Sequence, residues 1–167
     1  MRNNGFSTET KRIKNKEVGF SRRVVQGGYS IYVPLDFYED KNFVSNYTYL
    51  FSKDESPLSI AIRFTSVSSK SDRKKMIDHY FSQTINGQEL PVDKLGENIC
   101  LRESVTDGKY LSVYSLRFTI EVDDGVLFGC FNCSADSGGD WSGTVLEMLG
   151  SIKKSDGGGN ADSALKR

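Results

Sequence analysis

KYLSVYSLRFTIEVDDGVLFGCFNCSADSGGDWSGTVLEMLGSIK, residues 109–153, is the stretch whose reading decides the fold. Tyr110, Tyr114, Leu116, Phe118, Ile120 and Val122 fall on one side of a period-two pattern, the mark of a strand with one buried face. The opposite side starts apolar at Leu111 and Val113 and turns polar at Ser115, Arg117, Thr119 and Glu121. Asp123-Asp124-Gly125 is a tight hairpin turn. The return strand, Val126–Cys133, is apolar on both sides: Val126, Phe128 and Cys130 against Leu127, Phe131 and Cys133. A strand apolar on both faces is covered on both faces. After Ser137-Gly138-Gly139 the period changes, and Trp141, Val145, Leu146, Leu149 and Ile152 form one helical stripe. Asp140 or Ser142 is its expected cap.

Upstream, the pattern predicts further strands and one helix. A strand spans about Val24–Val33, with Gly27-Gly28 as a bulge or bend, and Pro34 ends it because proline cannot donate to a ladder. Residues 36–46 are a charged connector. Tyr47, Tyr49 and Phe51 alternate with Thr48, Leu50 and Ser52. A turn at residues 53–57 leads to a strand with Leu58, Ile60, Ile62 and Phe64 on one face and Ser59, Ala61, Arg63 and Thr65 on the other. Ser71 is the expected N-cap of a helix carrying Met76, Ile77, Tyr80, Phe81 and Ile85, closed by Asn86-Gly87. Residues 88–98 read as loop and Ile99–Glu103 as a short strand. Most strand-to-strand connections are of hairpin length, so the order β-β-β-α-β-β-β-α predicts a largely antiparallel sheet with helices packed on it.

The chain has 167 residues, enough for one domain with its own core. Its net charge is zero but unevenly spread. Residues 1–23 carry seven basic and two acidic groups, whereas residues 24–152 are acidic overall. The charges of residues 1–22, with only scattered apolar positions, predict a mobile basic arm ahead of a single domain at 23–154. Residues 155–167, SDGGGNADSALKR, predict a flexible tail. An acidic body with a sequence pI near 6.6 argues against nucleic acid as the partner. No segment approaches the ~18 apolar residues of a membrane helix. The polar N-terminus and sparse cysteines predict a cytoplasmic protein, or a periplasmic or exported one if a signal peptide once preceded Met1.

No motif announces catalysis, a cofactor or a metal. Cys130 and Cys133 have C-x-x-C spacing but fall on a strand, where positions i and i+3 point to opposite faces, so core packing is the expected role. His79 is the only histidine, and no serine lies in a nucleophile elbow. The adjacent carboxylates at Asp123-Asp124 suit a turn, and Gly138-Gly139 lacks the rest of a phosphate loop. What remains is the polar half-face. Ser59, Arg63 and Thr65 on one strand, with Ser115, Arg117 and Thr119 on another, are expected on one sheet face left partly uncovered. That face is either loosely covered by loops or the arm, or a groove for a peptide or small ligand. Arg63, Arg117, Ser59, Ser115 and Thr119 are the candidate binding residues.

Three stretches carry a family resemblance: Tyr29-Ser30-Ile31-Tyr32-Val33-Pro34, the hairpin Tyr110–Cys133, and Trp141 with Leu149-Gly150-Ser151-Ile152. In these the chain resembles the PsbP-like and Ran-release-factor superfamily, and within it the bacterial DcrB type, over about residues 24–153. The resemblance implies a three-layer α/β/α sandwich around an antiparallel sheet. It also implies a non-catalytic binding or accessory module, chaperone-like or linked to secretion or the envelope, that holds a protein or peptide. The alternatives are an enzyme or small-ligand binder, with Arg63 and Arg117 holding an anion, and a structural envelope protein.

Overall fold

The computed structural model describes residues 8–13, 16–39, 47–52, 58–82 and 91–155. Eleven strands and two helices follow in chain order among them. They are β1 (Thr8–Ile13), β2 (Lys16–Val25), β3 (Tyr29–Pro34), β4 (Phe37–Glu39), β5 (Thr48–Ser52) and β6 (Ser59–Ser66). Helix α1 (Lys70–Phe81) comes next, then β7 (Asp93–Leu95), β8 (Ile99–Asp107), β9 (Ser112–Val122) and β10 (Gly125–Ser134). Helix α2 (Gly138–Gly150) and the two-residue β11 (Lys153–Lys154) complete the fold.

The strands form two antiparallel sheets. One has seven strands in the order β4-β5-β6-β10-β9-β8-β7, and the other has four, β1-β2-β3-β11. β10 sits at the centre of the larger sheet, paired with β6 and β9. As expected of a strand apolar on both sides, Leu127, Phe131 and Cys133 are buried on one face and Val126 and Phe128 on the other. The first face meets the core shared with Ile31 and Val33 of β3 and with Val145, Met148 and Leu149 of α2. The second lies beneath α1, whose Tyr80 ring packs 5.2 Å from that of Phe128.

This arrangement corrects the expected three-layer α/β/α sandwich. Among the described residues the fold is mostly β, 59% strand against 24% helix, and of their two helices α1 alone lies on one side of the large sheet. The other side is covered by a second sheet together with α2. The reason lies in the first residues. The stretch expected to be a mobile arm contributes β1 and β2, which pair in register from Thr8 opposite Ser21 to Ile13 opposite Lys16. Val25 is buried and Phe20 is only 1% exposed. With only Val18 and Phe20 alternating among charges, the periodicity is too short to announce a strand, but pairing with β3 satisfies its backbone. Gly27 and Gly28, expected as a bulge within one strand, form a tight turn between two, both at positive φ (78° and 76°). Only glycine takes that conformation without strain, and the Phe64 ring packs against Gly27 where a Cβ would stand.

Smaller differences are local. The N-cap of α1 is Ser69, not Ser71, and its hydroxyl accepts from the Asp72 amide. The cap moves because Ser69 takes the extended backbone that a cap requires. α2 begins at Gly138, ahead of Asp140 and Ser142, with Ser137 at the cap position. Its buried stripe is Val145, Met148 and Leu149, at i, i+3 and i+4, so Leu146, expected on the stripe, is 38% exposed. β8 runs on to Asp107, past the expected end at Glu103, because β9 supplies ladder partners that far. Tyr110, assigned to the core face, lies ahead of β9 and is 89% exposed. The charged connector and the loop at 88–98 contain the short edge strands β4 and β7. The expected turn at 53–57, the helix end at Ile85 and Asn86-Gly87, and tail residues 156–167 lie outside the described residues. No helix among the described residues is long and apolar enough to cross a membrane.

Candidate functional site

The pairing register settles which polar side chains share a face, since residues directly opposite in an antiparallel pair point the same way. Phe128 of β10 stands opposite Arg63 of β6 and Thr119 of β9. Cys130 stands opposite Ala61 and Arg117, and Asn132 opposite Ser59 and Ser115. All five candidate binding residues therefore lie on one face of the large sheet, the face that carries α1. They do not converge on one point: β10 separates Arg63 from Arg117, at two strand spacings or roughly 10 Å.

Tyr80 divides this face. Its hydroxyl donates to the Gly129 carbonyl at 2.8 Å, and its ring lies 5.9 Å from the Arg117 guanidinium. Burial pushes the Tyr80 phenol well above its ordinary range, so it keeps its proton. On one side of the ring is a recess of about 120 Å³ lined by Tyr47, Arg63, Met76, His79, Tyr80 and Phe128. The Arg63 guanidinium is 5.6 Å from the centre of the Tyr47 ring and 5.7 Å from that of Phe128. It forms no ion pair among the described residues, and its buried Nε has no hydrogen-bond partner. A buried donor left without an acceptor costs roughly 1–3 kcal/mol.

The other candidates have different surroundings. The Ser115 hydroxyl donates to Asn132 Oδ1 at 2.6 Å, and the Cys130 thiol approaches the same oxygen at 3.5 Å. Burial raises the Cys130 pKa, so the thiol stays protonated despite Arg117 beside it. Cys133 is buried on the opposite face, as i and i+3 on a strand require. Thr119 is fully buried, out of reach of a partner docking from outside. Ser59 is half-buried opposite Asn132.

The sequence pointed to Arg63 but not to the rest of its recess. Met76 and Tyr80 were legible as one apolar helix stripe, and Tyr47 and Phe128 as strand positions. No sequence signal brings the two elements together. Larger recesses, of about 330 and 580 Å³, lie beside the end of α2 and share Ile99 and Gly150 in their linings. Several of their polar groups are already paired. Lys11 binds Glu147 at 3.0 Å, which raises the lysine pKa, and Tyr29 donates to Asp124, which Lys154 also holds at 3.0 Å. Among the described residues, no three His, Cys, Asp or Glu side chains come together at metal-binding distance. No family model and no curated protein matches the chain.

Proposed function

We propose that the protein is a non-catalytic binding module for a polypeptide partner, which sets one carboxylate against Arg63 in the recess beside α1. The observation that carries this reading is the guanidinium between Tyr47 and Phe128, with a buried Nε and no acceptor for it among the described residues. A partner's carboxylate oxygen satisfies that donor, and the rings and Met76 take up the apolar part of the same side chain. Size argues for a side chain over a metabolite. At about 120 Å³ the recess holds about four waters, while small-molecule sites run to roughly 300–1,000 Å³. Of the lining groups suited to carry a proton, the Tyr80 phenol is bound to a backbone carbonyl and holds its proton, which leaves His79 and no acid–base pair.

Selection of displayed peptides against the full chain tests this. Enriched peptides should carry Asp, Glu or a free C-terminal carboxylate next to an apolar residue. Losing a charge-assisted hydrogen bond costs roughly 1.5–3 kcal/mol, so Arg63→Ala should weaken binding about 10- to 100-fold. Amidation of the peptide carboxylate should do the same. Peptides that bind Arg63→Ala as tightly as the parent would refute the proposal.

A further inference from the structure

Across the Tyr80 ring from Arg63 lies a second group of cationic side chains with a different environment. Arg102 of β8 is 2% exposed. Its Nη1 donates to the Phe81 carbonyl at 2.7 Å, at the last residue of α1. Its Nε and Nη2 are buried and have no partner among the described residues, and these are the two donors along one edge of the guanidinium. Arg117 stands directly opposite Arg102 in the β8–β9 ladder, and Thr119 is the next residue along the same face of β9. Thr119 is fully buried and its Oγ1 has no partner among the described residues. The Phe81 ring covers Arg102 at 5.5 Å and packs edge-on against Tyr80 at 5.1 Å.

Like charges directly opposite in a ladder destabilise it, and buried charges are ordinarily paired. The neighbouring carboxylates are engaged elsewhere. Glu103 points to the opposite face and accepts from Tyr114 Oη at 2.9 Å. Glu121, two residues beyond Thr119, is held by Arg73 at 3.6 Å. None of the ion pairs among the described residues includes Arg102 or Arg117. Among the described residues, the cluster therefore holds two positive charges, a free guanidinium edge and a free hydroxyl, with no negative group paired to them.

From this geometry we propose that Arg102, Arg117 and Thr119 form a site for a small oxyanion, enclosed beneath the C-terminal end of α1. Two oxygens of a phosphate or carboxylate match the free Nε–Nη2 edge of Arg102, a pairing that guanidinium geometry favours. Arg117 supplies the second positive charge, and the Thr119 hydroxyl donates to a remaining oxygen. The site is independent of the Arg63 recess, because the anion sits on the other side of Tyr80 and is held by different residues.

The test is thermal unfolding of the full chain at constant ionic strength, with sodium chloride replaced stepwise by sodium phosphate or by sodium acetate. An anion that binds only the folded state raises the melting temperature with saturation. We expect saturable stabilisation by at least one of the two oxyanions, and whichever acts identifies the class. Arg117→Gln should weaken the apparent affinity about 10-fold, the loss of one charge-assisted contact. Lys75→Gln, the same charge change on the exposed side of α1, should leave it unchanged. If Arg117→Gln does not fold, Thr119→Val replaces it with the same expected direction. Equal melting temperatures in chloride, phosphate and acetate, or equal loss in Arg117→Gln and Lys75→Gln, would overturn the proposal.

Discussion

Replacing Arg73 should cost this protein more stability than any other single charged side chain on α1. Arg73 stands among charged neighbours, Asp72, Lys74 and Lys75, that are exposed, yet it is 7% exposed itself. Its guanidinium donates to four backbone carbonyls: Val67 at 2.8 Å, Val122 at 3.0 Å, Ser68 at 3.0 Å and Asp123 at 2.9 Å. Glu121 adds a weaker ion pair at 3.6 Å. The side chain thereby clamps the start of α1 to both the β6–α1 connection and the β9–β10 turn. Hydrogen bonds from a charged donor contribute roughly 1.5–3 kcal/mol each, so four give roughly 6–12 kcal/mol gross. The net is smaller, because Ser68 and Asp123 are exposed and their carbonyls regain water when the arginine is removed. Breaking a buried charged network by deleting one partner costs about 3–5 kcal/mol, and we expect that for Arg73→Ala. Arg73→Met keeps the aliphatic stem and should lose nearly as much, whereas Arg73→Lys, with one donor nitrogen in place of the fork, should lose about half. Urea unfolding monitored by Trp141 fluorescence measures these differences. Hydrogen exchange should show α1 losing protection ahead of the sheet, since a 12-residue helix is marginal without tertiary support. The clamp argument fails if Arg73→Ala lies within about 1 kcal/mol of the parent, the size of a surface ion pair.

Other expectations follow from packing and from protonation. A Cβ at Gly129 would meet the Phe118 ring and the Ala61 carbonyl oxygen at 2.6 Å. Gly129→Ala should therefore destabilise by about 1–3 kcal/mol in urea titrations. Gly150→Ala has open space and should be neutral or stabilise by up to about 1 kcal/mol, so a reversed order would refute this account of the packing. Burial raises the phenol pKa values of Tyr29, Tyr80 and Tyr114, with further contributions from Asp124 at Tyr29 and Glu103 at Tyr114. Each group binds its proton more tightly folded than unfolded, so their contribution is intact below the unfolded value of about 10 and is lost as pH rises above it. Alkaline titration should show tyrosinate absorbance from these three appearing together with unfolding, and their ionisation in a chain still folded by circular dichroism would contradict the assignment.

The hairpin β9–β10 was legible because its patterns are local and long. An alternation from Tyr114 to Ile120 and a two-sided return strand leave little choice of structure. That legibility extends to the candidate site, since alternation places Arg63 and Arg117 on the polar sides of their strands, and the register then brings both to one face. The rest depended on tertiary context. Nothing in the sequence around Arg102 indicates that Phe81 will lie over it, and nothing in Ser71–Lys75 separates the buried arginine from its exposed neighbours. β1 and β2 escaped notice because an edge pair is stabilised as much by ladder partners as by its own apolar residues. The expected helical layer gave way to a second sheet for the same reason.

The four-stranded sheet takes its outer strand from the far end of the fold. Lys153 and Lys154 pair with Ser30 and Tyr29, and the Ser30 hydroxyl reaches the Lys153 carbonyl across 123 positions of chain. The seven-stranded sheet is complete by Ser134, and its β8–β9–β10 meander joins near neighbours in sequence. Loop closure favours short-range pairing first, so we expect the meander to assemble early in folding and β11 to close after the barrier is crossed. Contacts made that late govern how long the native state survives and have little influence on how fast it forms. By that reasoning the two-residue strand acts as a kinetic latch, and the lifetime of the whole fold depends on one of its smallest elements.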